Sequence, residues 1–450
     1  HPRRPRAAGA AVNAEGSPSE AGAAQSIAAA ERRLLLLTAL RWLPVGVTLG
    51  LTVLLPLERG MSIAAIGSIL AIQGFVALAL ELPTGALSDT LGRRPVLAAS
   101  GVLAIAASIL FLLADSYALF AVSLLLQGVF RVLDSGSLEA WFVDVVHEHD
   151  PAAEVAHPLA RAGTALGVAI AAGALLGGLL VAWHPMGAVS ALILPMLVAI
   201  GLYILYTVLV VILVHDVTER TDAPVRPLAV MADAARQTPR TVVEGVRRAV
   251  RSRVLAGLVL VEVFWSVAMI GFETLTPLQL EGFLGGEDAA AAVFGPASAA
   301  AWGLFAVGSL LASRVSGVIG VAWTAILSRI LNGAFVVLMG LASGVVGLLI
   351  GYGLTYLAHG SAGPMHAALL HREADRSTRA TILSLNSMVS GGAYSIGLLV
   401  LTAVAGATSA GWATVVAGAF SVLGALCYLP ALRQERAPGR RGRSGVVDPA

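Results

Sequence analysis

The chain has 450 residues, of which 57% are hydrophobic and only 12% charged, and its formal net charge is +2. A soluble domain carries about 25% charged residues, so this composition excludes an ordinary water-soluble fold. The near-neutral balance singles out no polyanionic partner, and nucleic acid is not expected.

Residues 1–33 are rich in Ala, Gly, Ser and Arg without periodicity and read as a disordered tail. The apolar run that follows is too long for a signal-peptide core. A membrane-spanning helix needs about 20 apolar residues. Such runs cover 34–57, 63–85, 96–114, 117–144, 159–182 and 188–214. After a polar gap come 254–280, 293–313, 322–342, 346–370, 380–406 and 410–432. The expectation is an all-α polytopic membrane protein with 12 spans in two six-helix bundles, 34–214 and 254–432. The 49 glycines suit close packing between such helices. The ninth span is the weakest, because Arg329 interrupts it. Equal halves suggest duplication, although no residue-level repeat is visible.

The linker 215–253 carries Arg220, Arg226, Arg236, Arg240, Arg247, Arg248, Arg251 and Arg253. Interleaved Val242, Val243, Val246 and Val250 make it an amphipathic helix suited to the inner leaflet of the bilayer. Arginines also fill the tails, 433–450 included, and the other loops on the linker's side. The opposite loops hold only Arg59. The positive-inside rule then places both termini and the linker in the cytoplasm. The single cysteine, Cys427, permits no internal disulfide and no thiolate metal cluster. No metal or cofactor motif appears, and no phosphate-binding loop or nucleophile elbow, so an enzyme is not expected.

Between spans two and three the chain reads Gly85-Ala-Leu-Ser-Asp89-Thr-Leu-Gly92-Arg93-Arg94. Gly85 allows close helix approach and Gly92 a tight turn. Arg93 and Arg94 can bridge carboxylates in a bidentate fork. This stretch resembles the loop signature of the major facilitator superfamily, in the short loop where that family keeps it. The resemblance implies two six-helix bundles working by alternating access. It also implies a conformational latch, in which Asp89 caps the start of span eleven near 377–381 and Arg93 pairs with Asp144. The latch would stabilise the outward-open state. The second-half counterpart, Gly308 to Arg314, has lost its aspartate. In span five, Gly163, Gly167, Gly173, Gly177 and Gly178 partly resemble the exporter branch, with Ala174 where a proline is usual. Close packing explains the same glycines.

Charged groups in mid-membrane cost about 2.5–3.5 kcal/mol each on insertion scales, so each needs a reason. Arg131 and Asp134 are three residues apart on span four and are expected to face each other, as a self-neutralised pair or, with Glu273, as further proton-coupling candidates, with Glu139 beyond. Glu262 and Glu273 share a face of span seven. Glu262 has no basic neighbour on its own helix and is the first candidate for proton coupling, paired across the bundle with Arg41 or Arg131 if charged. Arg41 can also snorkel inward, or face the substrate cavity with an acid such as Glu81. Gln73, Glu139, Asn386 and a span-ten stripe of Tyr352, Tyr356 and His359 are candidates for a substrate cavity. The expected function is proton-coupled export of a drug-like or small metabolite by a monomer. Proton-coupled uptake is the alternative, and a non-transporting membrane sensor or scaffold is the alternative from another class.

Overall fold

A computed structural model describes residues 18–216, 227–373 and 379–436. Within them, the side chains of 18–24, Leu82, Ala86, Asp89, Pro227, Leu228, Gln237, Thr241 and 379–381 are left undescribed. Twelve helices are long and apolar enough to cross a membrane. In chain order, spans one to six are Gln25–Glu58, Ile63–Glu81 (its helix running on to Leu91), Arg93–Leu113, Tyr117–His149, Ala156–Trp183 and Ile193–Leu213. Spans seven to twelve are Arg253–Leu284, Glu287–Ile319, Val321–Gly340, Val345–Glu373, Ile382–Ala407 and Ala410–Arg436. A linker helix, Pro227–Arg251, joins the two sets.

Every expected span is present, with several ends shifted by a few residues. The first helix starts at Pro18, so 18–33 is helical rather than a disordered tail. The ninth span runs unbroken through Arg329, whose guanidinium carbon sits 3.8 Å over the Trp265 ring. That cation–π contact makes the buried charge tolerable. The expectations for 1–17, 217–226 and 437–450 fall outside the described residues.

Four spans are interrupted, span twelve only by a 3₁₀ turn at Ala425–Tyr428. Span one breaks after Val47, where Gly50 adopts a φ of +84°. Span four ends its first half at Asp134 and restarts at Ser137, with Gly136 left-handed at φ +69°. Span seven breaks at Thr274.

Two seams join the halves: span two against span eleven and span five against span eight. Small residues line both. A Cβ on Gly67 would come within 1.8 Å of the Thr402 Oγ1, and one on Gly295 within 2.4 Å of the Ala174 carbonyl. The apolar core divides unevenly about these seams. On the side away from the linker, one cluster draws on all twelve spans, from Leu54 and Phe120 to Phe272, Phe294 and Leu401. On the linker side each half keeps its own core, around Trp141 and Phe142 in the first and around Leu258 and Leu369 in the second. The far side is therefore closed, and the space between the halves opens toward the linker.

Candidate functional site

In the first half, Arg41 is buried and its Nε lies 2.5 Å from the Asp134 Oδ2. The Tyr206 hydroxyl donates to the Asp134 Oδ1 at 2.8 Å. The Arg41 guanidinium also lies 4.2 Å from the Phe130 ring centroid. These groups come from spans one, four and six. Arg131 is therefore not the partner of Asp134. It faces the open space between the halves, within electrostatic reach of Glu273 and Tyr394 from the other half. Glu81 does not meet Arg41 either; it accepts a hydrogen bond from the Ser387 Oγ of span eleven at 2.9 Å.

In the second half, Glu262 is buried and pairs with His366, Oε1 to Nε2, at 3.1 Å. The ring's Nδ1 meets the Tyr428 hydroxyl at 2.9 Å, and Asn386 Oδ1 is 3.4 Å from Nε2. The assignment consistent with these contacts has Nε2–H donating to the carboxylate and amide oxygens, and Tyr428 O–H donating to Nδ1. Arg329 adjoins Tyr428 and leaves its Nε and Nη1 buried without partners. Glu262 thus has neither of the arginine partners considered for it. Its partner is a histidine that helical spacing could not reveal, because it lies on span ten.

The two clusters occupy matching places. Spans one, four and six supply Arg41, Asp134 and Tyr206; spans seven, ten and twelve supply Glu262, His366 and Tyr428. Each tyrosine lies in the linker half of the last span of its set. The linker-side turns match as well. Gly92 and Gly320 both have positive φ, +91° and +89°. Asp216, after span six, accepts from the Arg94 amide at 2.9 Å. Glu435, near the end of span twelve, accepts from the Val321 and Ala322 amides at 3.1 and 2.9 Å.

The family model of the Major Facilitator Superfamily matches residues 34–306. The chain belongs to this superfamily. It is a multi-pass membrane protein and a transporter of this class, which implies a small-molecule substrate. No curated protein matches the sequence. Among solved structures, the nucleoside transporter NupG superposes with a TM-score of 0.68 at 13% identity, covering 90% of this chain and 99% of that one. A POT family transporter in complex with a thioalcohol conjugated peptide superposes with a TM-score of 0.66 at 14% identity, covering 92% and 97%. At these identities the likeness speaks for the fold.

The superfamily's loop signature is in place with one unforeseen partner. Arg93 Nε lies 3.4 Å from the Asp144 Oδ2, and its Nη1 donates to the Ser88 Oγ at 3.0 Å. Among the described residues Arg94 bridges no carboxylate with its side chain, which donates to the Val211 carbonyl at 2.7 Å. Its backbone is held by Asp216, the residue sequence reasoning missed. Gly92 makes the tight turn, but Gly85 serves no close approach among the described residues, since a Cβ there would meet none of them within 4 Å. The Asp89 side chain and residues 377–378, with the side chains of 379–381, lie outside the described set, so that arm of the expected latch does too.

The other cavity candidates scatter. Tyr352 and Tyr356 are buried in the far-side core, with rings 5.0 Å apart and Tyr352 bonded to Ser298 at 3.1 Å. They pack instead of lining the open space. His359 stacks on Trp265 at 4.6 Å with its Nδ1 unpartnered. Gln73 is half-buried on span two, its carbonyl packed against Gly128 of span four. Glu139 stands in the first turn after the span-four break.

Proposed function

We propose that this chain is a proton-coupled secondary transporter of a small polar metabolite, working by alternating access, with Glu262 and His366 as its proton-responsive pair. The supporting observation is the Glu262–His366–Tyr428 cluster, which stands where the first half has a permanent ion pair. A carboxylate–imidazole pair exists in neutral and charged forms that differ by one proton, and histidine is the side chain whose ordinary range makes that exchange accessible near neutrality. Each change alters the charge buried between spans seven, ten and twelve, and so the cost of closing them around the cavity.

The linker side is cytoplasmic in this reading, on the distribution of arginines. Cysteines replacing the exposed Asp233 and Asp288, in a Cys427→Ser background, test it. An impermeant reagent applied outside should modify the second and spare the first; the reverse result would invert the topology. Arg93 and Asp144 both belong to the first half and are paired with the linker side open. A state-dependent latch therefore has to act through Asp89 and span eleven. If it does, Asp89→Asn slows transport without lowering expression.

Export was favoured by the span-five glycines, and three of these, Gly173, Gly177 and Gly178, have a packing role. Cβ atoms on Gly173 and Gly177 would come within 2.2 and 2.3 Å of the Leu43 and Val47 carbonyls of span one. Export therefore rests on no residue of its own, and uptake stands equal to it. Flux in right-side-out and inside-out vesicles under an imposed pH gradient separates the two. Coupling itself is tested by Glu262→Gln in proteoliposomes. The variant should lose pH-driven accumulation and keep downhill exchange. Accumulation at the parent level would remove Glu262 from the coupling site, with Asp134 and then Glu273 next to be examined. Absence of any ion-coupled flux in the parent would favour a sensor or scaffold.

A further inference from the structure

A pocket of about 210 Å³ opens at the break in span four, between that span, span one and span six. Its wall includes Thr38, Arg41, Ser135, Gly136 and Glu139. Four features make it a built site. Arg41 is only 5% exposed, and its Nη1 is buried without a hydrogen-bond partner. Thr38, one turn earlier on span one, is 3% exposed and its Oγ1 is equally unpartnered. The half-helix Ser137–His149 begins at Gly136 with no side-chain cap. Glu139 lines the same pocket within electrostatic reach of Arg41 and Asp134, and among the described residues its carboxylate is hydrogen-bonded only by its own backbone amide.

The charges decide what fits. Asp134 is satisfied by Arg41 Nε and Tyr206, so it adds no free acceptor. Arg41 and Asp134 neutralise each other, which leaves the unpartnered donors of Arg41 and Thr38 and the carboxylate of Glu139 around one small volume. Orphaned buried donors carry a cost that a ligand acceptor removes, and broken membrane helices present such ends to substrates. A simple anion would satisfy Arg41 and Thr38 but meet the charge of Glu139. A simple amine would satisfy Glu139 and leave the orphaned groups as they are. The volume also lies below the ~300 Å³ at which drug-sized sites begin.

We infer that this pocket binds the paired charges of a small zwitterion, its carboxylate toward Arg41 and Thr38 and its ammonium toward Glu139. The inference rests on the chain being a transporter, but not on proton coupling or direction, since binding needs neither. Purified full-length protein in detergent is tested by thermal unfolding with the twenty protein amino acids and β-alanine as probes. Each is compared with its matched carboxylic acid and amine. At least one amino acid should raise the unfolding midpoint by several degrees while its singly charged analogues do not. Glu139→Gln should remove that shift and let the matched carboxylic acid produce one instead; Thr38→Val should weaken both. The inference is overturned if no amino acid shifts the midpoint. A matched acid or amine acting equally well, or a zwitterion shift that survives Glu139→Gln, overturns it too. If an amino acid binds as expected while Glu262→Gln leaves accumulation intact, the coupling proposal fails and this one stands.

Discussion

The two halves of the molecule place the same kind of cluster on corresponding spans and fill it with opposite chemistry. In the first half span one carries the cation and span four the anion: Arg41 with Asp134 at 2.5 Å. In the second, span seven carries the anion and span ten a group that is cationic only when protonated: Glu262 with His366 at 3.1 Å. A tyrosine from the last span of each set completes both. The positions correspond between the halves and the charges do not. One half thereby holds a fixed pair, since arginine never deprotonates in proteins, while the other holds a pair that a proton can change. The comparison teaches that fold symmetry and functional asymmetry can occupy the same residues.

The largest effect expected from this contrast is on stability. Removing one partner of a buried ion pair leaves an uncompensated charge, which typically costs about 3–5 kcal/mol. Asp134→Ala should therefore destabilise by roughly that amount, strongly lowering the unfolding midpoint in detergent. Glu262→Gln keeps an acceptor for the His366 Nε2–H and a volume close to the original. Its cost should stay near the ~1 kcal/mol of one net hydrogen bond. Equal losses would break the contrast and make Glu262–His366 a second fixed pair.

The spans were legible because twenty-residue apolar runs have few other readings, and the loop signature was legible because its spacing is short. The partners were not. Local helical spacing favoured Arg131 for Asp134, yet the pair that forms joins spans one and four, and only the folded bundle brings them together. His366 was overlooked for the same reason, and His359, with a more visible stripe around it, proved to be stacked on Trp265. The break in span four lies at Ser135-Gly136, two small residues among many, and nothing local marks Gly136 as the left-handed one. The matching caps beside Gly92 and Gly320 escaped notice because Asp216 lies just after the sixth span and Glu435 at the end of the twelfth, far in sequence from the turns they hold.

A second contrast is between the closed and open ends of the seams. Gly67→Val would overlap Thr402 on the closed side, whereas a Cβ on Gly85 on the linker side meets none of the described residues. Overpacking costs about 1–3 kcal/mol, and 1.4 kcal/mol is a factor of ten in population. Gly67→Val should therefore shift the protein away from the far-closed state by roughly tenfold or more. It would raise the labelling of a cysteine at Leu54 from the far side. Gly85→Val should leave this conformation untouched and slow only the state in which the linker side closes, protecting a cysteine at Ser135 less. Identical labelling in the two variants would show that the seams do not close alternately.

The smallest effects belong to the linker-side caps, and they test whether the halves behave as independent repeats. Asp216 and Glu435 each accept backbone amides at the start of the helix after a positive-φ glycine, so each removes an orphan donor and meets the positive end of a helix dipole. Loss of such a cap costs about 0.5–2 kcal/mol. Glu435 uses two oxygens on two amides and also meets Arg372 at 3.4 Å, whereas Asp216 holds one amide of its helix. Glu435→Ala should therefore sit at the upper end of that range and Asp216→Ala at the lower. The two caps belong to different halves and share no partner. Their effects on the unfolding midpoint should add to within about 0.5 kcal/mol in the double variant. A coupling well above that would mean that the linker-side ends of the two halves communicate while the cavity between them is open, and the picture of two separate cores on that side would have to be given up.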